Sequence, residues 1–181
     1  MTLKPILPFA LVACALTSIG PEHVHAQAPA STASQPAPSA AKKAFDKLKT
    51  LTGSWQGDIM SMRIAGTIRP VSSGTALLHE MTTDAKGPPQ HEITMFYVED
   101  DRLLAIHYCD GANRVRWEGK MTPDETSIEF NMLDVTGGTR GGLLKRLVFN
   151  LIDADTHAIE GLFVMPDGKP VDLRGKFRRT P

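Results

Sequence analysis

From Ser54 onward the chain is a string of short runs in which apolar and polar residues partly alternate. In order they are "SWQGDIMSMRI", "TALLHEMTT", "HEITMFYVE", "RLLAIHYC", "RVRWEGKM", "SIEFNMLDV", "LKRLVFNLID", "THAIEGLFVM" and "VDLRGKFRRT". Turn formers stand between them, in "PVSSG", "DAKGPP", "EDD", "DGAN", "TPDE", "TGGTRGG", "DADT" and "PDGKP". Short runs of this kind, about 10 to 12 residues apart and closed off by Gly, Pro, Asn and Asp, predict strands joined by hairpins. No stretch of helical length lies between them, which argues against a parallel α/β sheet. Closing the sheet on itself would remove its aggregation-prone edges. Closure needs strong coiling, and glycines inside the runs supply it: Gly57, Gly66, Gly119, Gly161 and Gly175. The expected fold is all-β, an antiparallel up-and-down barrel of about 8 to 10 strands.

One segment breaks the pattern. In "AKKAFDKLKTL", residues 41–51, Phe45, Leu48 and Leu51 recur at helical spacing with lysines opposite. A short amphipathic helix therefore precedes the strands.

The region before that helix reads as export and tether. Lys4 gives a positive start, "ILPFALVACAL" an apolar core, and "VHA" at 24–26 a cleavage site, so residues 1–26 match a signal peptide. The core is too short, and too broken by Pro5 and Pro8, to span a membrane. "LVAC" at 11–14 allows a second processing route, lipidation of Cys14. Residues 27–40 are Ala, Pro, Ser, Gln and Thr without charge or aromatic rings, a composition read as a disordered linker. Residues 41–181 then form one domain, placed in the periplasm or outside the cell. Cys109 is the single thiol left after cleavage, so no internal disulfide is expected. The 20 basic and 20 acidic residues balance, which points away from a nucleic-acid partner.

"GSW" at 53–55, after a short helix, resembles the G-x-W opening of lipocalins and other calycins. That resemblance implies a tryptophan closing one barrel end beneath a basic residue of the last strand, here Arg174 or Arg178. The longer set "HEITMFY", "DDRLLAIHYC" and Asn113 resembles a family of exported bacterial calycin-like proteins of unknown function. The pattern of that family is a G-T-W opening, H-E-M-x-T-x-Y, D-R-L-x-L-x-H-Y-C and N-Q-P-R. The match spans residues 45–116, and "NRVR" departs from it with Val115 in place of proline. The resemblance implies a fold and leaves the activity open.

The hairpin "MFYVEDDRLLAIHYC" holds the densest chemistry. An even turn centred on Asp100 and Asp101 pairs Val98 with Leu103 and Thr94 with His107. Alternation then puts Ile93, Met95, Tyr97, Leu104, Ile106 and Tyr108 on one face. Glu92, Thr94, Phe96, Leu103, Ala105, His107 and Cys109 take the other. Three readings of this mixed face stand open. His107 and Cys109 are half-buried structural residues; or the face lines a cavity for a small ligand; or imidazole and thiol act together, on a metal or as base and nucleophile. No third metal ligand stands at a recognisable spacing, and no cofactor is implied.

Elsewhere, His79 and Glu80 point to opposite faces, and Glu80 is the expected inward residue, with Arg116 as partner. Arg114, Arg116 and Glu118 share a solvated face. "TGGTRGG" invites a phosphate-loop reading, but strands flank it and no helix N-terminus follows. The functional expectation is non-catalytic binding of a small hydrophobic or amphipathic molecule. Trp55, Tyr97 and Tyr108 would give apolar contact, and Glu80, His107, Cys109 and Arg116 polar orientation. A hydrolase or isomerase using His107 with Cys109 or Glu92, and an interaction module with a filled barrel, are the alternatives.

Overall fold

The computed structural model describes residues 37–84, 89–109, 112–138 and 140–181. The signal peptide, Cys14 and residues 27–36 of the linker lie outside the described residues. A helix, α1 (Ala40–Lys49), opens the domain, capped by the Ser39 side chain, which accepts from the Lys42 amide. Ten strands follow: β1 (Gly53–Ile59), β2 (Met62–Val71), β3 (Ala76–Asp84), β4 (Gln90–Glu99) and β5 (Arg102–Tyr108); then β6 (Asn113–Met121), β7 (Ser127–Gly137), β8 (Leu143–Asp153), β9 (Thr156–Val164) and β10 (Pro170–Thr180). Each pairs antiparallel with its sequence neighbour, and β1 pairs with β10 to close the barrel.

Nine runs became ten strands because "SWQGDIMSMRI" contains a turn. Met60 and Ser61 both take positive φ, 51° and 65°, the geometry of a two-residue hairpin turn. Neither residue type advertises it. The β4–β5 turn has the same geometry at Asp100 and Asp101, where aspartate tolerates it better. Its register is the expected one, with Val98 opposite Leu103 and Thr94 opposite His107.

One end of the barrel is sealed. Ala41, Ala44, Phe45 and Leu48 of α1 are buried, and Leu51 joins them. Trp55 sits behind them and donates from Nε1 to the Leu51 carbonyl at 2.8 Å. Arg179 covers its ring, with the guanidinium carbon 4.3 Å from the ring centroid. The basic residue from the last strand is thus Arg179, not Arg174 or Arg178. Those two alternate with the buried Phe177 and face outward, and both are exposed. Arg179 also donates to the carbonyls of Thr52, Thr50 and Ala154, tying the helix end to the β8–β9 turn.

Large side chains pack the lower and middle barrel. Leu77, Phe96, Leu103, Trp117, Ile128, Phe130, Phe149 and Phe177 are each at most 2% exposed. A ten-stranded barrel is wider than the eight-stranded one that side chains just fill, so rings are needed here. The inward glycines make room for them. A Cβ on Gly119 would lie 2.5 Å from a Phe130 ring carbon, and one on Gly57 2.8 Å from a Phe177 ring carbon.

Candidate functional site: the open mouth and the inward histidines

Among the described residues no helix covers the end opposite α1, termed the mouth. It is ringed by the tops of β1, β3, β5, β7 and β9 and the starts of the strands that follow them. Toward the mouth the inward Ile59, Met62, Met81, Val135, Leu144 and Phe163 are half-buried, as are the inward Val98, Met121 and Leu151 toward the sealed end. The inward polar side chains Thr83, Glu92, Thr94, His107, Cys109 and Asn113 stand among these apolar ones, on β3 to β6 and at the end of β5.

Alternation places the mixed face of the β4–β5 hairpin inside. Thr94 and His107 face each other across the strands and are 2% and 3% exposed. Thr94 Oγ1 and His107 Nδ1 are 2.9 Å apart, a hydrogen bond that fixes the ring. On its other side, His107 Nε2 lies 4.0 Å from a Glu92 carboxylate oxygen. Burial pushes the His107 pKa down to about 4, so the imidazole is neutral at neutral pH. Cys109 turns elsewhere and donates from Sγ to Asn113 Oδ1 at 3.1 Å. Asn113 in turn donates to the Gly142 carbonyl, pinning the β6 start to the β8 start. The arrangement is therefore a Glu92–His107–Thr94 line in which His107 and Thr94 are buried and Glu92 is half-buried, with the thiol held outside it.

Two further histidines point inward. His79 stacks near Phe96 with centroids 6.4 Å apart and meets Phe149 edge-on at 5.9 Å. His157 lies parallel to Phe177 at 5.2 Å and edge-on to Trp55 at 4.3 Å. Burial, then the neighbouring His157 and His107, lowers the His79 pKa to about 3. Burial, then Arg179, lowers that of His157 to about 4. The Nδ1 atoms of both are buried without a hydrogen-bond partner. Sequence reasoning preferred Glu80 to His79, because an acid after an apolar run needs a partner. The structure reverses the facing: His79 pairs with the inward Thr94, and Glu80 lies outside beside Arg69. His157 was legible only through its place in "HAIEGLF", where every second residue turns in.

The seven expected site residues are split by the wall. Trp55, His107 and Cys109 face inward, Trp55 at the sealed end and the other two at the mouth. Tyr97, Tyr108, Glu80 and Arg116 face outward. Tyr108 is 49% exposed. Arg116 forms a bidentate pair with Asp134. Tyr97 and Tyr108 cannot share a surface with His107, since their strand positions differ in parity. Two surface hollows, of about 450 and 410 Å³, lie away from the mouth, one beside α1 and one on the outer wall between Thr180 and His91. Among the described residues no cluster of three or more His, Cys, Asp or Glu side chains could hold a metal ion.

No family model matches the chain, and no curated protein matches it. Among solved structures it is similar to Rv2717c from M. tuberculosis, with a TM-score of 0.60 over 76% of this chain and 98% of that one. The fold is a closed antiparallel barrel of ten strands. At 16% sequence identity the likeness is one of fold. A redesigned β barrel is also similar, at 13% identity and a TM-score of 0.43, covering 81% of this chain and 100% of its own.

Proposed function

We propose that this chain is an exported, non-catalytic binding protein that holds a small hydrophobic or amphipathic molecule in the barrel mouth. The observation that supports it is a set of apolar side chains, Ile59, Met62, Met81 and Phe163, that face inward near the end opposite α1 and are only half-buried. Concave apolar surface with a few polar groups is what small-molecule sites are made of. The inward polar side chains of β3 to β6 at the same end would orient the bound molecule. Export rests on the N-terminal signal pattern, with cleavage after Ala26 or lipidation at Cys14. The test is native mass spectrometry of protein purified from its own host. A stoichiometric small molecule released on denaturation supports the reading. A bare mass, together with no binding of any apolar probe to the purified protein, removes it.

A second reading has its own observation. The outer face of β4 and β5 carries Ile93, 41% exposed, and Tyr108, 49% exposed, beside half-buried Met95, Tyr97 and Ile106. A contiguous apolar stripe on an outer wall suits a protein partner. Ile93→Asp would abolish such an association without touching ligand binding in the mouth.

A further inference from the structure

An antiparallel sheet with one solvated face ordinarily turns polar residues outward at every second position. The outward positions of β10 obey this, with Asp172, Arg174, Lys176 and Arg178. Strands β4 and β5 do not. Their outward positions carry Ile93 opposite Tyr108, Met95 opposite Ile106, and Tyr97 opposite Leu104. Ile93 and Tyr108 are 41% and 49% exposed. Strands that are apolar on both faces are usually covered on both faces.

The rim of this block says what would cover it. The Ile93–Tyr108 row continues to Glu80 on β3 and to Arg114 on β6. The Glu80 side chain is 45% exposed, and one of its oxygens lies 3.4 Å from Arg69 Nε. Arg114 is half-buried, and its Nε has no hydrogen-bond partner among the described residues. An acid thus flanks the apolar block on one side and a base on the other. A partner of a single sign would suit one flank and be repelled at the other. A surface of this kind complements itself when turned over.

We propose that the outer faces of β4 and β5 join two copies of this chain about a two-fold axis running along the strands between β4 and β5. This rests on the reading of that stripe as a protein-contact surface. A two-fold contact uses one patch twice, so that position i meets j and j meets i. Here Ile93 of one copy lies over Tyr108 of the other, Met95 over Ile106, and Tyr97 over Leu104. The same rotation sets Glu80 against Arg114 on both sides of the axis. Three outward rows on four strands cover roughly 20 by 20 Å. That is the small end of specific interfaces, so the dimer is transient.

The experiment is sedimentation velocity of the chain from about 1 μM to about 1 mM, where a contact of this size should show a monomer–dimer equilibrium. Ile93→Asp should weaken the dimer by about tenfold or more. Glu80→Arg alone, or Arg114→Glu alone, sets like charges together at both flanks and should weaken it about tenfold. The two together re-form the pairs with their signs exchanged and should restore the original constant. Circular dichroism checks that each variant keeps its strands. A chain that stays monomeric throughout overturns the two-copy inference and leaves the stripe to a different protein. A dimer indifferent to Ile93→Asp overturns both this inference and the stripe as an association surface. A double reversal that fails to restore the dimer overturns the two-fold pairing and the inference with it.

Discussion

Acid should unfold this barrel at a pH where its carboxylates are still ionised. His79, His107 and His157 are buried, and their pKa values drop from 6.5 to about 3, 4 and 4. The folded state therefore binds fewer protons than the unfolded chain once the pH falls below 6.5. Their effect is absent above 6.5, grows as the pH falls, and levels off only below the folded values near 4 and 3. Between those limits each histidine removes about 1.4 kcal/mol of stability per pH unit. At about pH 5 the loss is roughly 2 kcal/mol per residue and roughly 6 kcal/mol for the three. A domain of this size has about 5 to 15 kcal/mol in total. Urea unfolding followed by tryptophan fluorescence should thus show a midpoint lower by roughly 2 to 4 M at about pH 5 than at about pH 7.5. His79→Gln should lower the pH slope by about one third. A midpoint that moves by less than roughly 0.5 M over that interval would refute the claim that these imidazoles are buried and neutral.

Other consequences are simpler to state. Thr94→Val keeps the shape but leaves His107 Nδ1 without its partner, and should lower stability by about 1 to 3 kcal/mol in chemical denaturation. Gly119→Ala forces a methyl into the Phe130 ring and the Leu103 side chain, and thermal melting should show a loss of about 1 to 3 kcal/mol. Arg179→Met removes the carbonyl contacts and the cover over Trp55; about 2 to 4 kcal/mol should be lost, with a red shift of Trp55 emission in a Trp117→Phe background.

The β4–β5 hairpin was readable because two aspartates mark its turn and the even loop fixes the pairing of every residue behind it. Which face turned inward was harder. The outward face, from Ile93 to Tyr108, is the more apolar of the two, and hydrophobicity alone would send it to the core. It is the imidazole, hydroxyl and thiol face that lies inside, where Thr94 and Asn113 satisfy His107 and Cys109. The turn sets Thr94 opposite His107, but nothing local in the sequence records that their side chains bond or that Cys109 donates to Asn113. The β1–β2 turn was hidden for a related reason. Met60 and Ser61 adopt a strained backbone because the strands on either side are held by pairing, not because of their own preferences. The resemblance to calycins implied a basic residue of the last strand over Trp55, and one is there, but it is the inward Arg179 and neither of the two expected, Arg174 and Arg178, which face outward.

Strand β1 is among the earliest segments of the domain to leave the ribosome, and its second partner is the very last. Ser54 waits for Thr180, and Ile59 for Gly175, across more than a hundred intervening residues. Until that ribbon arrives, two edges stay unprotected and the cylinder is an open sheet. A nascent chain therefore has no native resting state until β10 has been made, and deletion of Pro170–Thr180 would cost the whole ring, not one strand of it.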